Sequence, residues 1–154
     1  MRSIWFSLMS TSVPDVESEL RRYGFVHPDG LEELRYPSVD EPKLYVTCEG
    51  YEWVEEYDLQ DEYAELLRAI GGREPTVHVG VDVSGRIPGD AEVREIARIL
   101  LRRFDGFAFD DFLSYAHAWT LVEIENNETF NGLNFFDYSG HWKLMKKSSR
   151  HGDA

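Results

Sequence analysis

A single cysteine, Cys48, stands among 154 residues, so no internal disulfide can form, and this sparing use fits a reducing cytoplasm. No stretch is apolar over the length needed to span a bilayer. Ile4-Trp5-Phe6 is apolar but short, lacks a small-residue cleavage site and is soon followed by polar Pro14-Asp15, so it reads as a first strand and not as a signal peptide. Positive charge is also scarce. Sixteen Lys and Arg face 29 Asp and Glu, for a formal net charge of -13. Phosphate backbones and anionic membranes repel such a chain, which disfavours direct nucleic-acid and membrane partners and favours basic ones. The plainer alternative is that the charge serves solubility. Motifs are missing as well: there is no Walker pattern, dinucleotide glycine fingerprint, H-E-x-x-H pair, cysteine cluster or nucleophile elbow. No cofactor is implied. Acids are abundant while basic and nucleophilic partners are not, which weighs against an enzyme without excluding one.

What is present begins with one organising stretch, residues 75–112. Val77, Val79, Val81 and Val83 alternate with Thr76, His78, Gly80 and Asp82, the period of two that a strand with one buried face requires. Beyond Ser84-Gly85 and Pro88-Gly89, the apolar positions Val93, Ile96, Ala97, Leu100, Leu101 and Phe104 recur at helical spacing. Asp90 reads as the N-cap of that helix, and with Glu92 it places negative charge where a bound phosphate would sit. Asp105-Gly106 ends the helix, and Phe107 and Phe109 open another strand around Ala108.

The remaining elements follow from similar signals. Ser12 is placed to cap a helix through Val16, Leu20 and Tyr23, with Gly24 at its end. Short strands fall around Leu34–Tyr36 and Leu44–Cys48, and a helix from Gln60 or Asp61 ends at Gly71-Gly72. Thr120 with Glu123 forms a capping box and Trp119 with Ile124 a hydrophobic staple, so a short helix starts at Leu121. The rest of the C-terminal third is aromatic and irregular, punctuated at Asn126-Asn127, Asn131-Gly132 and Ser139-Gly140. The length fits a single α+β domain over residues 1–145, and residues 146–154 read as a mobile polar tail. The expected architecture is a mixed sheet with helices packed mainly on one face, a ferredoxin-like core with additions.

Three groups of residues are candidates for function. Between 40 and 65, ten acidic residues meet one Lys43, and Tyr51, Trp53, Tyr57 and Tyr63 are interleaved with them. Aromatic anchors with acidic neighbours suit a docking surface for a basic protein, with Trp53 and Tyr57 as anchors and Glu55, Glu56, Asp58, Asp61 and Glu62 supplying charge. The competing reading turns the aromatics into the core and leaves the carboxylates as a solvated face. The second group is Asp82, Asp110 and Asp111 with His78 and His117. Were the two strands of the organising unit neighbours, Asp82 and Asp110 would approach one another and offer oxygen ligands to magnesium or manganese, the basis of an alternative small-molecule-binding or metal-dependent enzyme. The histidines read more simply as hydrogen-bonded structural residues. Third, Cys48 lacks any local feature that would lower its pKa and reads as a buried thiol.

Through the organising unit, the HAWTLVEI segment (117–124) and the NFFDYSGHW segment (134–142), the chain resembles small acidic bacterial immunity proteins of contact-dependent or secreted polymorphic toxin systems. The resemblance implies a cytoplasmic, non-enzymatic inhibitor that occupies the basic active-site cleft of a cognate toxin, often a nuclease domain. It assigns no individual residue.

Overall fold

The computed structural model describes residues 2–152, with side chains through 147. The chain runs β1 (Arg2–Met9), α1 (Val13–Arg22), β2 (Leu34–Tyr36), β3 (Leu44–Glu49), α2 (Trp53–Glu56), α3 (Gln60–Ala69), β4 (Val77–Val83), α4 (Asp90–Arg103), β5 (Asp105–Asp110), α5 (Leu121–Glu125) and α6 (Tyr138–Gly152). The strands form one five-stranded sheet in the order β2-β3-β4-β1-β5. Without β2, the chain is a βαββαβ unit with its strands in the order β5-β1-β4-β3, which is the ferredoxin-like arrangement. The additions are β2 at the edge, the α2–α3 pair between β3 and β4, and the segment after β5.

Every ladder is antiparallel, which corrects the expected mixed sheet. The β4-α4-β5 crossover does leave β4 and β5 running the same way, but β1 lies between them and opposes both. No parallel ladder can form. Helices pack mainly on one face, as expected: α1, α4 and α5 cover the face of Ile4, Phe6 and Leu8, and on the other face Leu66 and Ile70 at the α3 end pack on Met9 and Phe109.

The alternation of valines sets the register. Val77, Val79, Val81 and Val83 are all buried, with Val93, Ile96, Ala97 and Leu100 of α4 in the same core. A slip of one residue would replace the valines by Thr76, His78, Gly80 and Asp82. At about 1.5–3 kcal/mol for each lost burial, that shift costs roughly 6–12 kcal/mol, as much as a domain's whole stability.

Local signals acted as expected at most helix ends. Ser12 caps α1 by accepting from the Asp15 amide at 3.4 Å. At α5 the capping box is complete: Thr120 Oγ1 accepts from the Glu123 amide and Glu123 Oε1 accepts from the Thr120 amide. Thr120→Ala should therefore lower stability by about 1 kcal/mol in denaturant titration, and no loss would mean that the staple of Trp119 and Ile124 alone holds this turn.

Two readings shift. The N-cap of α4 is Gly89 at φ 89°, with Asp90 the first helical residue. A Cβ at Gly89 would lie 2.5 Å from Val83 Cγ1, so close packing on β4 as well as the positive φ calls for glycine there. Ser139-Gly140, expected to interrupt the chain, lies inside α6, which continues through the expected tail as far as Gly152. Residues 153 and 154 of that tail lie outside the described residues. No helix among the described residues is long and apolar enough to cross a membrane.

Candidate functional site

The acidic segment leaves the sheet at the end of β3 and folds back across it. Val54 of α2 and Leu66 of α3 are buried and fasten the two short helices to the body. Tyr51 turns inward, donating its hydroxyl to Ser7 Oγ at 2.9 Å. Its ring packs on Trp53 at 5.6 Å, on Tyr63 at 5.7 Å and edge-on to His78 at 6.0 Å, and Trp53 also meets His78 edge-on at 5.9 Å. Burial pushes the His78 imidazole down to about 4, so it is neutral near pH 7. His78 is thus an uncharged ring in an aromatic cluster, and no hydrogen bond to its side chain is present among the described residues, unlike the structural role expected for it.

The aromatics split between the two readings of this stretch. Tyr51, Trp53 and Tyr63 are half-buried, and the Trp53 indole N–H is buried without a hydrogen-bond partner. Tyr57 is 65 % exposed. Of the two expected anchors, Tyr57 presents a free ring and Trp53 is largely committed to His78 and Tyr51. The carboxylates all face solvent: Glu55, Glu56, Asp58, Asp61 and Glu62 are exposed, with Asp58 at φ 55° in the turn between α2 and α3. Among the described residues none of the ten acids between 40 and 65 forms an ion pair.

Apart from Arg68 at the C-terminal end of α3, most cations sit elsewhere. Arg22, Arg98, Arg102 and Arg103 lie on α1 and α4, across the sheet, and there they pair with Glu19, Glu95 and Glu125. Residues 49–65 hold eight acids and no base. The molecule is therefore polarised, with a locally neutralised α1–α4 face and an acidic α2–α3 face on which Arg68 is the one base of the two helices. Unpaired charge of one sign gathered on one face attracts and orients an oppositely charged partner.

Comparison with known proteins gave no match to any family model, curated protein or solved structure. The geometry alone carries the functional argument.

The second group does not assemble. Asp82 pairs in register with Ser3, and Asp110 with Ile4, so the two carboxylates point to opposite faces of the sheet with β1 between their strands. Asp82 is exposed and accepts from Ser3 Oγ at 2.6 Å. Asp110 is fully buried, its Oδ1 accepting from the Phe136 amide at 2.8 Å. Asp111 is exposed beyond the strand end. His117 is the structural histidine expected: its Nε2 lies 2.8 Å from Glu123 Oε2 and its ring stacks on Phe130. Burial raises the Glu123 carboxyl, but the Thr120 amide and His117 outweigh it and leave the group below its ordinary range. Cys48 is half-buried, and burial, with Glu17 adding to it, pushes its thiol up to about 12, so it stays protonated and unreactive.

Sequence reasoning placed Tyr51, Glu52 and Tyr63 in the acidic stretch without assigning them to the site. The two tyrosines are twelve positions apart and meet only because α3 folds back over Tyr51. Their shared place in the aromatic interleaving was the only available signal.

Proposed function

We propose that this chain is a protein-binding inhibitor whose acidic α2–α3 face docks on a basic partner, and specifically an immunity protein that neutralises a cognate bacterial toxin by covering a basic active site. The observation that carries the reading is the segregation of unpaired carboxylates, around the exposed Tyr57, on the face opposite the arginines. Carboxylates bound in a cleft shaped for phosphates replace the substrate's charge with the inhibitor's own. Glu55, Glu56, Asp58, Asp61 and Glu62 set the encounter rate, and Tyr57 supplies apolar contact once the surfaces meet. A toxin nuclease domain is the partner class that fits best, because its substrate is polyanionic. The site of action under this reading is the cytoplasm of the producing cell.

The test is growth of cells that express the product of the neighbouring open reading frame, with and without this chain, followed by association kinetics of the two proteins. Rescue of growth is expected. The double substitution Glu55→Lys with Glu56→Lys should slow association about tenfold or more at low salt and weaken its dependence on ionic strength. An unchanged rate with an unchanged salt slope rules out this face as the docking surface.

A further inference from the structure

We propose that the cleft walled by the Tyr51–Tyr63 pair and rimmed by Glu52 and Glu55 is a receptor for a single arginine side chain of the partner. This rests on the docking reading above and adds to it the chemistry recognised at one point. The cleft encloses about 340 Å³ and is lined by Tyr51, Glu52, Val54, Glu55 and Tyr63. Tyr51 and Tyr63 pack on one another at 54° with ring centroids 5.7 Å apart, so together they make one continuous aromatic wall of the cleft. Val54, buried, gives the cleft an apolar lining.

The walls are already in place before any ligand arrives. Tyr51 is held at its hydroxyl by Ser7 and at its ring by Trp53 and His78, which leaves little freedom to lose on binding. The rim is negative and lacks a counter-cation. Glu52 and Glu55 are exposed and unpaired among the described residues, and the Glu52 carboxylate folds so closely over Gly50 that a Cβ there would lie 2.4 Å from Oε2. Burial, and after it the neighbouring Glu52, raises the Glu49 carboxyl above its usual range.

A π face attracts a cation, and carboxylates at the rim favour one that donates hydrogen bonds. Arginine fits better than lysine: its planar guanidinium stacks on an aromatic wall, gives up hydration more readily and still directs N–H groups at both glutamates. An anion is excluded by the rim. His78, behind Tyr51, contributes no positive charge because it is neutral.

The probe is arginine amide, titrated into the full chain with backbone and tyrosine ring NMR signals recorded; citrulline amide, which has the same α-amino group and a side chain matched in shape but uncharged, isolates the guanidinium's contribution. Arginine amide should shift the signals of residues 51–55 and 63 in a saturable way, at least fivefold more tightly than citrulline amide. Tyr63→Ala and Glu55→Gln should each weaken it at least threefold, whereas Glu62→Gln, an equal loss of charge outside the cleft, should change it less than 1.5-fold. The proposal is overturned if no saturable shift occurs, if citrulline amide binds equally, or if Glu62→Gln weakens binding as much as Glu55→Gln does. The two readings fail separately. Loss of the arginine signal with growth rescue intact removes the cleft and leaves the docking face; arginine binding without rescue does the reverse.

Discussion

The native protein should lose stability between about pH 4 and pH 7, and replacing Asp110 by Asn should abolish that loss. Asp110 is buried at the end of β5 with its Oδ2 unpartnered, and the buried indole N–H of Trp119 faces it closely enough to favour the charged form without completing a hydrogen bond. Burial pushes its carboxyl up to about 7; the Phe136 amide and Trp119 oppose the rise, and Asp137 and Asp111 add to it. In the unfolded chain the same group titrates near about 3.9. Between those values the unfolded state has released a proton that the folded state keeps, so stability is full below about pH 4, falls as pH rises toward 7 and is level above. A gap of about three pH units corresponds to roughly 4 kcal/mol.

Asparagine retains an acceptor for the Phe136 amide and carries no charge. That amide belongs to a residue at φ 63°, a region an aromatic side chain rarely enters, so the hydrogen bond at 2.8 Å braces a strained turn where the C-terminal segment crosses the sheet. Asp110→Ala, which deletes the brace, should destabilise at every pH. Urea titrations of the native chain and both variants at intervals from pH 4 to pH 8 make the comparison. Parallel curves for the native chain and Asp110→Asn would show that Asp110 is not the group responsible.

Gly106→Ala carries the second large effect, an expected loss of about 3 kcal/mol. Gly106 pairs with Leu8 across the β1–β5 ladder. A Cβ there would lie 2.4 Å from the Ser7 carbonyl oxygen, 2.7 Å from Leu8 Cδ2 and 3.0 Å from Leu8 Cα. Two of these three atoms are backbone of the adjoining strand, so no side-chain rotation relieves the contact and the ladder itself must open. The matched control is Gly85→Ala, where a Cβ meets nothing within 4 Å and the change should stay within about 0.5 kcal/mol. Thermal and urea unfolding of both variants distinguishes them; equal stabilities would mean that β5 tolerates a side chain at this position.

Gly106 also shows where reading along the chain loses sight of the fold. Asp105-Gly106 marks the end of α4 as expected, yet the glycine is there as a strand residue, required by a neighbour almost a hundred positions earlier. Asp110 is similar. In the sequence it reads as a candidate oxygen ligand beside Asp82, and only the register with Ile4 places it on the core face. The pairing of Asp82 with Asp110 failed for the same cause, because β1 from the other end of the chain inserts between their strands. In the acidic stretch, clustering of charge with aromatics was visible at once, but which rings face inward was not. Tyr51 and Trp53 are directed by Ser7 and His78, on β1 and β4.

By itself the sequence determined the elements whose causes are local: the valine strand, the apolar face of α4, the Ser12 cap, the capping box at Thr120 and the acidity of residues 40–65. Each depends on residues within one or two turns or a few strand positions, where periodicity and capping chemistry act without help. Only the tertiary structure decided the strand order, the burial of Asp110, the need for Gly106, the Tyr51–Tyr63 cleft and the separation of the acids from the arginines. All of these depend on which distant segments meet, and that is settled by burying two apolar faces of one sheet at once rather than by any stretch of chain alone.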